Sequence, residues 1–206
     1  MTNTLHRRGA IEDLKRDFVV FALVPAEDKK HPDVAEKMRR FREIVGRHGP
    51  VNRPKPDLGA YKDINAVEPV KAEPGASATF DDFEKVKAVV ADLVAADLGI
   101  SVNISGPLAD VQCACRAAGI ERHSAEHSLG VVGNKDRLPT GDVLELTTLC
   151  GHGMVSHNVA RRMIDLVKQG KLSPARAAEY LARPCTCGVF NTTRAAGVLA
   201  RTRKLG

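Results

Sequence analysis

Phe18-Val-Val-Phe-Ala-Leu-Val24, closed by Pro25, is an unbroken apolar run. A strand with one wet face alternates apolar and polar residues, whereas a strand covered on both faces reads as a continuous run. These residues therefore predict a strand buried inside a sheet. Residues 1–17 read as a polar lead-in to it. After it, Pro32 can open a helix in which Val34, Met38, Phe41 and Val45 recur at helical spacing, with Gly46 as a stop.

Further along, the stretch from Gly49 to about Ala78 carries five prolines and reads as a long loop or excursion of the kind that covers a site. Asp81 is the expected N-cap of an amphipathic helix marked by Phe83, Val86, Val90, Leu93 and Val94 and stopped by Gly99. Ile100–Ile104 alternates at period two. Ser105-Gly106-Pro107 then leads into a helix with Leu108, Val111, Cys115 and Ala118 on one face, and the turn before it offers backbone N–H groups to an anion. His127–Val132 and Val143–Leu149 are two more expected strands. Beyond them Ser156, Ser173-Pro174 and Asn191 or Thr192 start three helices, the last ending in a basic tail. No internal repeat is evident.

This order predicts an α+β or α/β fold, with a mixed sheet layered with helices and then a small helical section. The expected division is 1–150 for the sheet domain and 151–206 for the helical section packed on it.

The chain has 206 residues, enough to bury a core without covalent staples, and 43% hydrophobic against 27% charged residues, an ordinary globular balance. Aromatic content of 4% with no Trp provides few platforms for stacking bases, so nucleic acid is not an expected partner. The net charge of +6 permits an anionic small molecule or protein partner, although Arg7-Arg8, Lys37–Arg42, Arg161-Arg162 and Arg201–Lys204 read first as solvated faces. No run approaches the length of a membrane span and no signal-peptide core is seen, which points to the cytoplasm. In that reducing compartment five cysteines read as ligands, catalytic thiols or buried thiols before disulfides.

Three of the five lie in glycine-flanked turns: Leu149-Cys150-Gly151-His152-Gly153 and Pro184-Cys185-Thr186-Cys187-Gly188. Cys150 is expected where a strand ends, and Cys185 and Cys187 between two helices, so that both segments approach helix N-termini that favour thiolate. Cys150, Cys185 and Cys187 are the expected metal ligands, and Gly151, Gly153 and Gly188 let the backbone come close to a bound group.

Three thiolates suit an iron–sulfur cluster of the 4Fe-4S type, with the fourth iron open or held by His152. Such an iron is a Lewis acid fit for a non-redox, hydro-lyase-like catalyst, or the chain serves as an accessory subunit to one. The alternatives are zinc in a Cys3His site within a binding or regulatory module, a thiol redox protein, or buried structural thiols. His127 and His152 are the candidate acid–base residues. Cys113-x-Cys115 beside His123 and His127 imitates a zinc finger. Two residues apart on a helix, however, turns the sulfurs to opposite sides, and Cys115 belongs with the core face. Phosphate-loop, nucleophile-elbow, His-Glu-x2-His and dinucleotide signatures are missing.

Overall fold

The computed structural model describes residues 6–24, 27, 31–54 and 76–204. The expected Pro-rich excursion falls mostly on 55–75, outside the described residues.

Strand β1 (Phe18–Leu23) is the middle strand of a three-stranded sheet, between β2 (Ser77–Phe80) and β3 (Ser101–Ser105). Both of its neighbours run antiparallel, Phe18 facing Phe80 on one side and Val19 facing Ser105 on the other. The fold is α+β as expected, with an antiparallel rather than a mixed sheet.

The continuous apolar run has the predicted cause. Phe18, Val20 and Ala22 point into one cluster with Phe41, Ile44 and Val45 of α2 (Val34–Arg47), with Val86, Val89, Val90 and Leu93 of α3 (Phe83–Ala96), and with Ala114 of α4 (Leu108–Ala117). Val19 and Phe21 point the other way, into a cluster built by α5 (Gly141–Thr147), α6 (His157–Lys168), α7 (Pro174–Ala182) and α8 (Thr192–Lys204). Both faces of β1 are dry, so neither set of alternate side chains can be polar.

The two later strand expectations fail for separate reasons. Residues 127–132 have no regular structure: Leu129 and Val132 are 93% and 89% exposed, and Gly130 and Gly133 adopt φ of +81° and +103°. Val143–Leu149 falls on α5, where Val143, Leu146, Leu149 and Cys150 recur at helical intervals and are all buried. The β-branched Thr147 and Thr148 are accommodated at the helix end because Thr147 Oγ1 donates to Val143 O (2.9 Å) and Thr148 Oγ1 to Leu144 O (2.8 Å).

The N-terminal residues also differ from a polar lead-in. They include a short helix, α1 (Ile11–Leu14), and two buried charges, Arg7 and Asp17. Arg201, expected in a basic tail, is part of α8 and pairs with Glu145 and Asp13. Among the described residues no helix is long and apolar enough to cross a membrane.

Gly106, offered above as part of an anion turn, has a packing role. A Cβ there would stand 2.5 Å from Cδ1 of the fully buried Phe18 ring. Gly106→Ala is therefore expected to destabilise the protein by about 1–3 kcal/mol, as overpacking of a tight core does, seen as a lowered Tm in calorimetry. An unchanged Tm would mean that the β3–α4 turn does not depend on this contact.

Candidate metal centre

The helical section is built twice. Cys150 and Cys185 are thirty-five residues apart, and at that offset Leu146 matches Leu181, Gly153 matches Gly188 and Ala160 matches Ala195. In each copy a helix ends three residues before the first cysteine, whose N–H bonds back to that last residue: Cys150 to Thr147 O (3.3 Å), Cys185 to Ala182 O (3.0 Å). The cysteine carbonyl then accepts from the glycine three residues on, at 3.1 Å in both copies, with Gly153 at φ +67° and Gly188 at φ +69°. Buried Val155 corresponds to buried Phe190, and Ser156 to Asn191, each capping the helix that follows with its side chain.

The section is thus a pair of helical hairpins, α5–α6 and α7–α8, packed together through α6 and α8. Each has a Cys-x-donor-Gly turn at its tip, with His152 in one copy at the place of Cys187 in the other. Sequence inspection missed this repeat because only four positions are identical between 141–168 and 176–203. The matching apolar positions, Val143 with Ala178, Ile164 with Leu199 and Met163 with Val198, are visible only once the offset is fixed by the cysteines.

The two turns bring three thiols and the imidazole together. Cys185 Sγ is 3.8 Å from Cys187 Sγ, Cys187 Sγ is 3.5 Å from His152 Nδ1, and Cys185 also shares a hydrogen bond with Cys150. Cys150 and Cys185 are buried, Cys187 is half-buried and His152 is exposed, so the cluster opens to solvent at the His152–Cys187 edge. All the cysteines are free thiols. Among the described residues no group of three or more His, Cys, Asp or Glu is placed so that it could hold a metal ion. The donors are associated pairwise through hydrogen bonds.

Cys185 occupies the middle of the chain of sulfurs, and its S–H is shared between two neighbours. That hydrogen bond is the main reason why the Cys150 pKa falls to about 6 and that of Cys187 to about 5, while Cys185 itself is pushed up and keeps its proton. Backbone N–H groups of His152 and Met154 add to the effect at Cys150, and that of Val189 at Cys187. The stabilising donors belong to the turns, which follow helix C-termini; α6 and α8 begin several residues later. The expectation that helix N-termini favour the thiolates is corrected accordingly, as is the placing of Cys150 at a strand end.

The second turn is docked on the sheet. Ser77 Oγ donates to Cys187 O (2.5 Å), Thr79 Oγ1 to Gly188 O (3.0 Å), and Asn52 Nδ2 to Phe190 O (2.9 Å). The Arg53–Pro54 backbone lies directly over Gly188, leaving no room for a Cβ. Gly188 is therefore required twice, by its φ and by this close approach, whereas Gly153 is required by φ alone.

Behind both turns Arg7 donates from Nη2 to Leu149 O (3.3 Å) and to Val189 O, and from Nη1 to Asp17. Asp17 in turn accepts from Arg194 at 2.6 Å and from Asn191 at 3.0 Å, and Arg194 reaches Glu145 at 3.1 Å. Sequence reading placed Arg7 on the surface; only the buried partner Asp17, ten residues away, distinguishes it.

Of the other candidates, His127 is exposed in the irregular segment after α4 and takes no part in the thiol contacts. Gly151 is half-buried between the two donors of the first turn. Cys115 is buried on α4 with a raised pKa from desolvation, and Cys113 is exposed.

Because its pKa lies below the usual thiol range, Cys187 should remain reactive at mildly acidic pH and lose reactivity only as pH falls through about 5. In metal-free protein, iodoacetamide labelling of Cys187 followed by mass spectrometry is expected to reach half its plateau well below the ~8.5 of an ordinary thiol. Labelling that sets in only above that value would contradict the shared-proton arrangement.

No family model, no curated protein and no solved structure matches this chain, which leaves the geometry of the four donors as the guide to its chemistry.

Proposed function

We propose that the protein is a metal-binding module in which Cys150, His152, Cys185 and Cys187 hold one tetrahedral ion, zinc before others. The observation that carries this reading is the spacing of two neighbouring donor pairs, Cys185 with Cys187 and Cys187 with His152. Zinc–sulfur bonds of about 2.3 Å and zinc–nitrogen bonds of about 2.0–2.1 Å at tetrahedral angles separate two thiolates by about 3.8 Å and a thiolate from an imidazole by about 3.6 Å. The Cys185–Cys187 and Cys187–His152 separations are 3.8 and 3.5 Å. The metal takes the place of the Cys185 proton as the positive charge shared among the sulfurs, so loading releases that proton. A closed set of three thiolates and one imidazole has no free position for substrate, which fits a structural ion that fastens the two hairpins to each other. The net charge of +6 then favours an anionic molecule or protein as the partner of this module.

The second reading is a 4Fe-4S cluster on the same three cysteines, as in a hydro-lyase-like catalyst or an accessory subunit. The exposure of His152 favours it, since an iron on that edge would be reachable from solvent. Against it, each cysteine of a cluster binds its own iron, so the sulfurs must stand well beyond van der Waals contact, and Cys185 and Cys187 are touching.

Protein purified without oxygen should be colourless and carry about one zinc per chain. Brown protein with iron and acid-labile sulfide would overturn the zinc reading in favour of the cluster, and protein that takes up neither metal would overturn both. Cys150→Ala, Cys185→Ala, Cys187→Ala and His152→Ala should each lose most of the metal and the rise in Tm that it confers. Cys115→Ala should keep the metal and lose on the order of 1 kcal/mol of packing stability.

A further inference from the structure

Arg7 is 4% exposed as a side chain, yet its guanidinium reaches the backbone of both donor turns. Nη2 donates to Leu149 O, the carbonyl just before Cys150, and to Val189 O, the carbonyl just after Gly188. Asp17, its carboxylate partner, is shared with Arg194, which pairs with Glu145 as well. Arg7 Nε is buried and has no hydrogen-bond acceptor. Of the thiols, Cys150 and, once its proton is lost, Cys185 add negative charge that acts on Arg7. Burying a cation with an idle donor is costly unless a negative charge stands nearby to offset it. Three thiolates around a divalent ion carry one net negative charge, on the two turns whose carbonyls this side chain holds.

We propose that Arg7 is a positioning residue of the metal site, its buried guanidinium holding the two donor turns in register through Leu149 O and Val189 O and offsetting the charge of their metal-bound thiolates. The inference rests on Cys150, His152, Cys185 and Cys187 being metal donors. Hydrogen-bonded groups behind a first ring of ligands commonly set metal affinity by 10–100-fold. Arg7 acts on the backbone of the turns rather than on a ligand side chain, and it serves both turns at once. Lysine keeps the charge but has one nitrogen, so it cannot hold Asp17 and the two carbonyls from separate arms as Nη1 and Nη2 of Arg7 do.

The test uses the full-length chain and zinc itself, with affinity measured by competition against a chromophoric chelator and Tm recorded with and without the metal. Arg7→Met should weaken zinc about tenfold or more and shrink the zinc-induced rise in Tm, with Arg7→Lys falling between Met and wild type. A residue that merely supports the fold would lower both Tm values together and leave zinc affinity unchanged, and that outcome in Arg7→Met would overturn the inference. If Arg7→Met does not fold, Arg7→Lys decides: wild-type zinc affinity in a folded Arg7→Lys protein overturns the inference, and a several-fold loss supports it. Wild-type protein that binds no zinc would instead defeat the reading of the site on which the inference rests, so the two failures are told apart.

Discussion

Asp17 is a carboxylate with no exposed side-chain surface, placed one residue before the central strand, and most of the molecule is arranged around it. It binds Arg7 and Arg194, accepts from Asn191 at the cap of α8, and through Arg194 reaches Glu145 on α5, which Arg201 holds from α8. An ionised group so deeply buried is tolerated only when it is paired and hydrogen-bonded throughout, and removing one partner of such a pair costs about 3–5 kcal/mol. The arrangement therefore contributes register more than net stability: it fixes the N-terminal residues, the first residue of β1 and the helical hairpins in one relative position. Arg7 also bonds the Leu149 and Val189 carbonyls, which ties the two cysteine turns to this network.

The duplicated hairpin gives that geometry its form. A helix that ends, a cysteine, a second donor and a left-handed glycine occur once at 147–153 and again at 182–188, so two copies of one turn supply two donors each. The copies are held differently. The second is bonded to Ser77, Thr79 and Asn52 at the sheet edge, while His152 and Gly153 of the first face solvent. A metal shared between them would join the sheet-docked turn to the solvent-facing one, its binding energy adding to folding energy.

Much of this was legible in the sequence. The central strand followed from the uninterrupted run at 18–24, because both faces of β1 are covered, and the caps at Ser156, Ser173 and Asn191 were recognisable from side chains that reach the first turn. The grouping of Cys150, Cys185 and Cys187 was legible from their glycine-flanked turns, where Gly153 and Gly188 take left-handed φ. What remained hidden depends on partners distant along the chain. Arg7 and Arg8 look alike in sequence, yet only Arg7 faces a buried Asp17. Val143–Leu149 falls on α5, where the hydroxyls of the β-branched Thr147 and Thr148 bond to the Val143 and Leu144 carbonyls, contacts that cannot be read from propensity. Leu129 and Val132 suggested a strand, but no sheet edge receives them. The repeat escaped notice because it preserves burial and turn geometry far better than residue identity.

At the centre of this account is one metal ion held by donors from both turns. X-ray absorption at the zinc edge of the purified protein tests it most directly, since it counts and identifies the atoms bound to the metal. The expected result is three sulfur atoms at about 2.3 Å and one nitrogen at about 2.0–2.1 Å. A shell made of oxygen and nitrogen only, or a second metal atom at short range, would contradict it.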